Sequence, residues 1–178
     1  MHVDVVTALR LQLPGYFPAF TVRNAEGMVM KIVVGSDHAG FELKNSVVHY
    51  LRERGHTVSD AGTDSDASCD YPDYAAWAAG LVSTENADRG ILICGTGIGM
   101  VITANKFKGV RAGLCTTPEE AALSRRHNNT NILCLGCRFR PAATNNLIIE
   151  TWHETDFEGG RHQARLDKIT GIEQENFT

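Results

Sequence analysis

Ile91-Leu92-Ile93-Cys94 is a short apolar run that passes directly into Gly95-Thr96-Gly97-Ile98-Gly99. An apolar run of that length, closed by a glycine turn, reads as a strand buried on both faces. The same alternation recurs from Lys31 onward. Lys31-Ile-Val-Val-Gly35 precedes a helix with Leu43, Val47, Tyr50 and Leu51 at helical spacing, which Gly55 is placed to end. A weaker strand over 57–60 is followed by a helix opened by Pro72, with Tyr74, Trp77, Ala78 and Leu81 expected on one face. Further strands are expected over 110–115 and 131–136. Thr117 is expected as an N-cap with Pro118 at the first helical position and Glu120 completing a capping box. Two more helices begin at Pro141 and near Gly160. Strands separated by helix-length segments imply right-handed crossovers. The expected architecture is a three-layer α/β/α, Rossmann-like domain with a five-stranded parallel sheet, and no internal repeat or low-complexity tract interrupts it.

Composition narrows the function classes. The 178 residues, 43% of them hydrophobic and 21% charged, suit one domain, and a net charge of −4 argues against a general nucleic-acid binder. No apolar stretch approaches the length of a membrane span. The five cysteines, Cys69, Cys94, Cys115, Cys134 and Cys137, are an odd number without a secretion signal, so a cytoplasmic, reducing setting is expected. Residues 1–30 differ from the rest: Asp4 precedes any positive charge, and Pro14 and Pro18 break the apolar run. They read as an N-terminal extension, either an appended tail with Met28 or Met30 as the functional start or an arm that contacts another subunit. Residues 31–178 read as the functional domain.

In a parallel sheet, chemistry gathers beyond the carboxyl ends of the strands. Asp37 and His38 follow the first strand, Cys94 and the glycine loop the third, and Arg138 the fifth; His127 and Asn128 end the helix after the fourth. The spacing Gly95, Gly97, Gly99 does not match the dinucleotide fingerprint, since position 100 is Met, and no Gly-Lys-Ser/Thr ending follows. Cys94 stands just before a helix start, where thiols ionise more readily than in water. Met100, six residues on, excludes the Cys-x5-Arg arrangement of thiol phosphatases. A thiol beside an anion-binding loop suits removal of a proton α to a carbonyl and stabilisation of the resulting enediolate. Cys134 and Cys137 form a single C-x-x-C without further ligands, so core packing is expected for Cys134 and no metal. Arg161 and Arg165 share a helix face with His162 beside them, a phosphate-clamping pattern to which Arg138 can add. His127 is either a helix C-cap or an acid/base group.

Taken together, GSDHAGFELK at 35–44, DYPDYA at 70–75, ILICGTGIGMVITANK at 91–106, SRRHNNTN at 124–131, LGCR at 135–138 and EGGRHQAR at 158–165 resemble the ribose-5-phosphate isomerase type B family, which also includes allose- and galactose-phosphate isomerases. The resemblance runs from Lys31 to about Gln174. It implies an aldose–ketose isomerase of ribose 5-phosphate and ribulose 5-phosphate, working through a cis-enediol without metal or organic cofactor. By the same resemblance Cys94 is the base, and Thr96 with the N–H groups of Gly95, Gly97, Ile98 and Gly99 stabilises the enediolate. His127 opens the sugar ring with Asp37 assisting. Asp37, His38, Tyr71 and Asn128 contact hydroxyls, and Arg138, Arg161 and Arg165 take the phosphate. The family places its site between two subunits, which implies a homodimer or a homotetramer. Position 94 is Cys and position 100 is Met, the pattern of the cysteine-using branch rather than of relatives with a glutamate. The alternatives are a six-carbon sugar phosphate as substrate, a non-catalytic sugar-phosphate-binding subunit, or a redox thiol protein, the last weakened by the lack of a second Cys near Cys94.

Overall fold

The computed structural model describes residues 29–177, so the expectation of an extension over residues 1–30 falls almost wholly outside it. Five strands, β1 (Lys31–Ser36), β2 (Thr57–Asp60), β3 (Arg89–Cys94), β4 (Ala112–Leu114) and β5 (Ile132–Gly136), form one parallel sheet in the order β2-β1-β3-β5-β4. Six helices connect or follow them: α1 (Phe41–Glu53), α2 (Tyr71–Ser83), α3 (Ile98–Ala104), α4 (Pro118–Asn128), α5 (Ala142–Glu154) and α6 (Arg161–Asn176), with a short 3-10 turn at His38–Gly40. None of the described helices is long and apolar enough to cross a membrane.

Strand side chains alternate between two cores, as a period of two requires. Ile32, Val34, Ile91, Ile93, Leu133 and Leu135 pack with α1, α4 and α5, where Val47, Leu51, Ile148 and Trp152 are buried. Val33, Leu92, Cys94, Ile132 and Cys134 pack on the other face, with α2 and α3. The expected three layers are therefore present, and Cys134 is fully buried in the core.

Three local expectations need correction. The inner face of α2 is Ala75, Ala78, Ala79 and Val82, while Trp77 is 56% exposed. Alanines let α2 lie close against β1, β3 and α3, and an indole on that face would hold the layers apart. Strand β4 is only three residues long, and asparagine side chains bond its backbone at and just before its start. Asn131 Oδ1 accepts from Arg111 N at 2.7 Å, and Asn105 Oδ1 from Ala112 N at 2.9 Å. At α4, Thr117 Oγ1 accepts from Glu120 N at 3.2 Å as expected, but the Glu120 carboxylate reaches one residue further back, to Thr116 N at 2.6 Å and its hydroxyl at 2.8 Å. Those donated hydrogen bonds hold the Glu120 carboxyl below the usual range.

Candidate active site

The sheet order reverses direction between β1 and β3, and a crevice at such a switch point is where α/β sheets take ligands. Backbone bonds past the strand ends define its floor. Asp37 N donates to Ile93 O at 3.3 Å, Cys137 N to Cys94 O at 3.0 Å, and Arg138 N to Gly95 O at 3.1 Å. These three bonds carry the register of β1, β3 and β5 into the loops and set Asp37, Cys94 and Arg138 side by side. The cavity above them has a volume of about 410 Å³ and is lined by Asp37, Tyr71, Cys94, Gly95, Thr96, Ile98, Gly99, Ile102 and Arg138.

Cys94 is 4% exposed, and its Sγ accepts a hydrogen bond from Gly97 N at 3.1 Å. That contact depends on the left-handed backbone of Gly97, φ +81°, a conformation a side chain would strain. Thr96 is exposed, and its hydroxyl accepts from Ile98 N at 3.2 Å, closing the first turn of α3. Gly99 serves close approach instead. A Cβ there would overlap the Tyr71 ring, so its absence lets the phenol lie on the loop and wall the cavity. The Arg138 guanidinium likewise lies over Gly95, where an added Cβ would come within 3.0 Å of Nε. Asp37, nearly buried, is oriented by Gly40 N, which donates to its Oδ1 at 3.2 Å. The His38 ring is anchored by the backbone of Cys69, with Nδ1 3.2 Å from its N and 3.3 Å from its O. Cys137 donates its thiol to Ala39 O at 3.1 Å, and burial, with Asp37 nearby, pushes that thiol up. The cavity thus combines a floor thiol, a carboxylate and a guanidinium at one mouth.

The remaining sequence-predicted residues collect elsewhere. His127, at the end of α4, stacks on His162 of α6 with centroids 4.2 Å apart and planes 5° from parallel. Arg161 Nε donates to His162 Nε2 at 3.4 Å, and Arg165 lies close enough to lower the basicity of that ring. Asn128 lines a second cavity, of about 310 Å³, with Arg111, Ser124 and Leu166. None of His38, Gly97, His127, Asn128, Arg161 and Arg165 lines the Cys94 cavity of the same chain.

Glu158, given no separate role by its motif, is the residue that sequence reasoning missed: its Oε2 is 4.0 Å from His127 Nε2 and 3.7 Å from His162 Nε2. The two rings and this carboxylate bring three potential metal-ligand atoms within 4.8 Å of one another. Their surroundings favour an anion instead. Arg161 already occupies His162 Nε2, Arg126 Nε is 3.9 Å from Glu158 Oε1, and Arg165 adds a third guanidinium against one carboxylate.

A parallel α/β sheet with a thiol and a glycine loop at its switch point, and a separate arginine–histidine cluster, suits a small anionic substrate. The matches to known proteins make the class specific. The family model described as Ribose/Galactose Isomerase matches residues 32–169, and the chain belongs to that family. It is 49% identical over 144 residues to ribose-5-phosphate isomerase B of Escherichia coli (strain K12), covering 81% of this chain and 97% of that protein. Its fold is similar to the solved ribose-5-phosphate isomerase B of Clostridium thermocellum, with TM-score 0.80, 46% identity, and 82% and 99% of the two chains covered. The Mycoplasma genitalium enzyme, solved with bound ribulose-5-phosphate, matches with TM-score 0.81 and 43% identity over 84% of this chain and all of that one.

Proposed function

We propose that this protein interconverts ribose 5-phosphate and ribulose 5-phosphate through a cis-enediol. The observation that carries the reading is Cys94 Sγ on the cavity floor, held by Gly97 N–H at 3.1 Å, with Asp37 and Arg138 beside it. An aldose–ketose isomerisation moves one proton from C2 to C1 and leaves the carbon skeleton intact. Cys94 as thiolate takes the C2 proton and returns it to C1, while the enediolate oxygen is stabilised by Thr96 and loop N–H groups. The Gly97 and Ile98 N–H groups are already engaged by Cys94 Sγ and Thr96 Oγ1, so Gly95, Thr96 and Gly99 carry most of that stabilisation. The Gly97 bond strengthens when the sulfur is negative. No step calls for a metal or a redox cofactor, because the isomerisation transfers no net electrons to or from the substrate.

The ring must open before C2 is acidic. His127 gives a proton to the ring oxygen as the C1–O bond breaks, and Asp37 assists by taking the C1 hydroxyl proton. Asp37, His38, Tyr71 and Asn128 bind hydroxyls, and Arg138, Arg161 and Arg165 bind phosphate. Since His127, Asn128, Arg161 and Arg165 lie apart from the Cys94 cavity of their own chain, the working unit is a homodimer in which the partner subunit's His127 and its neighbours complete the cavity. Ile98 and Ile102 at the cavity rim and Ile169 and Ile172 on α6 are all exposed apolar side chains that such contact would cover. Five free thiols suit a reducing compartment such as the cytoplasm.

Measuring kcat/KM side by side for ribose 5-phosphate and allose 6-phosphate, without added metal, tests the substrate. A strong preference for the pentose supports this reading. A preference for the hexose moves the substrate to six carbons, and inactivity on both overturns the enzyme reading.

A further inference from the structure

The His127–His162 stack has a feature that ring opening alone does not explain. Two imidazoles lie parallel at 4.2 Å, and a single carboxylate oxygen of Glu158 faces the Nε2 atoms of both. Glu158 is held there by the backbone. Its N donates to Arg126 O at 3.1 Å, pinning the segment before α6 to the last turn of α4, and Gly159 and Gly160 then turn the chain with φ of +66° and +55°.

The two rings are unequal. His162 is buried, whereas the His127 side chain is 36% exposed. Burial, with His127, Arg161 and Arg165 beside it, holds the His162 imidazole below its ordinary value. Parallel rings this close also disfavour two positive charges. His127 is the ring of the pair that solvent and substrate can reach. The charged groups facing it are Arg126 on its own helix, Glu158 on the connecting segment, and Arg161 and Arg165 with His162 on α6. Glu158 is the sole carboxylate among these, and its removal leaves only cations around the ring.

We propose that Glu158 is a positioning residue: its carboxylate pairs with His127 Nε2, fixes the ring, and leaves Nδ1 as the nitrogen that delivers the ring-opening proton. This rests on the ring-opening role given to His127 above. The arrangement gives the imidazole one nitrogen for the carboxylate and one for chemistry, the division of labour found wherever a histidine must act as an oriented proton donor. In the step itself, the Nδ1 proton passes to the ring oxygen as the C1–O bond breaks, and the C1 hydroxyl proton leaves to Asp37. This yields the aldehyde and a neutral imidazole. Glu158 changes neither charge nor bonding.

The test separates ring opening from enolisation. Ribulose 5-phosphate has no free 5-hydroxyl to close a furanose ring, so exchange of its C1 hydrogen with deuterium from heavy water needs Cys94 but no ring chemistry. In Glu158→Gln, kcat/KM for ribose 5-phosphate is expected to fall about 10- to 100-fold. C1 exchange should stay within about threefold of wild type, and Glu158→Asp should recover part of the isomerisation. Exchange falling together with isomerisation, or isomerisation unchanged, overturns the positioning role. His127→Asn controls the underlying reading: if it spares isomerisation relative to exchange, the ring-opening assignment itself fails. If it cripples isomerisation while Glu158→Gln does not, only the role of Glu158 fails.

Discussion

Cys94 ends β3 and also opens the glycine loop, and both positions matter to its chemistry. The strand buries its thiol on the cavity floor, and the left-handed Gly97 turns a backbone N–H onto its sulfur. Cys94→Ala should remove the base without disturbing the arginines. Turnover is expected to fall by at least about 10³-fold, near the range that general-base groups contribute, while ribose 5-phosphate still binds by calorimetry. Residual turnover above about one part in a hundred contradicts the assignment. Arg161→Ala removes ground-state binding, so steady-state kinetics should show a raised KM with kcat little changed; the reverse pattern would remove Arg161 from the phosphate site. That Asp37, Cys94 and Arg138 gather at one cavity was legible because alternating strands and helices send every strand's carboxyl end to one edge of the sheet, whereas Tyr71 entered only with the family motif. Glu158 was not legible, because its importance comes from the contact of two helix ends far apart in the chain, which no local pattern encodes.

Among the helices and strands, caps and apolar runs are written locally and buried faces are not. The capping residues of α4, the glycine that ends α1 and the apolar run of β3 each act over a few residues, and each stands close to where the sequence puts it. The inner face of α2 differs because helical spacing alone offers two stripes, one rich in alanine and one with Trp77, and only the tight layer spacing selects the first. Helix α5 holds a consequence for acid stability. Burial, then His56, Arg89, Arg54 and Arg125, push His153 down to about 3. The unfolded chain takes up this proton near pH 6.5 and the folded chain does not, so the stabilisation is complete above that pH and is lost as pH falls toward 3. Urea unfolding at pH 7 and pH 5 checks this: in His153→Gln the loss of stability between the two should be smaller than in wild type by about 2 kcal/mol. An equal loss in both proteins would place the titration elsewhere.

For the whole molecule, the candidate site is divided. One chain carries a cavity with a thiol, a carboxylate and one arginine; it carries His127, the proposed ring-opening group, and two further arginines in a separate cluster. Both sets stand in sequence motifs, yet spacing along one chain does not say which copy of the cavity each would serve. The proposed mechanism requires Cys94 of one subunit to work with the partner subunit's His127. Co-expression of Cys94→Ala with His127→Ala, each inactive alone, tests that pairing without intermediaries. Random pairing puts half the protein into mixed dimers, each with one intact site and one doubly altered site, so about a quarter of wild-type activity should return. No recovery, with mixed dimers verified by mass, would mean that Cys94 and His127 act within a single chain.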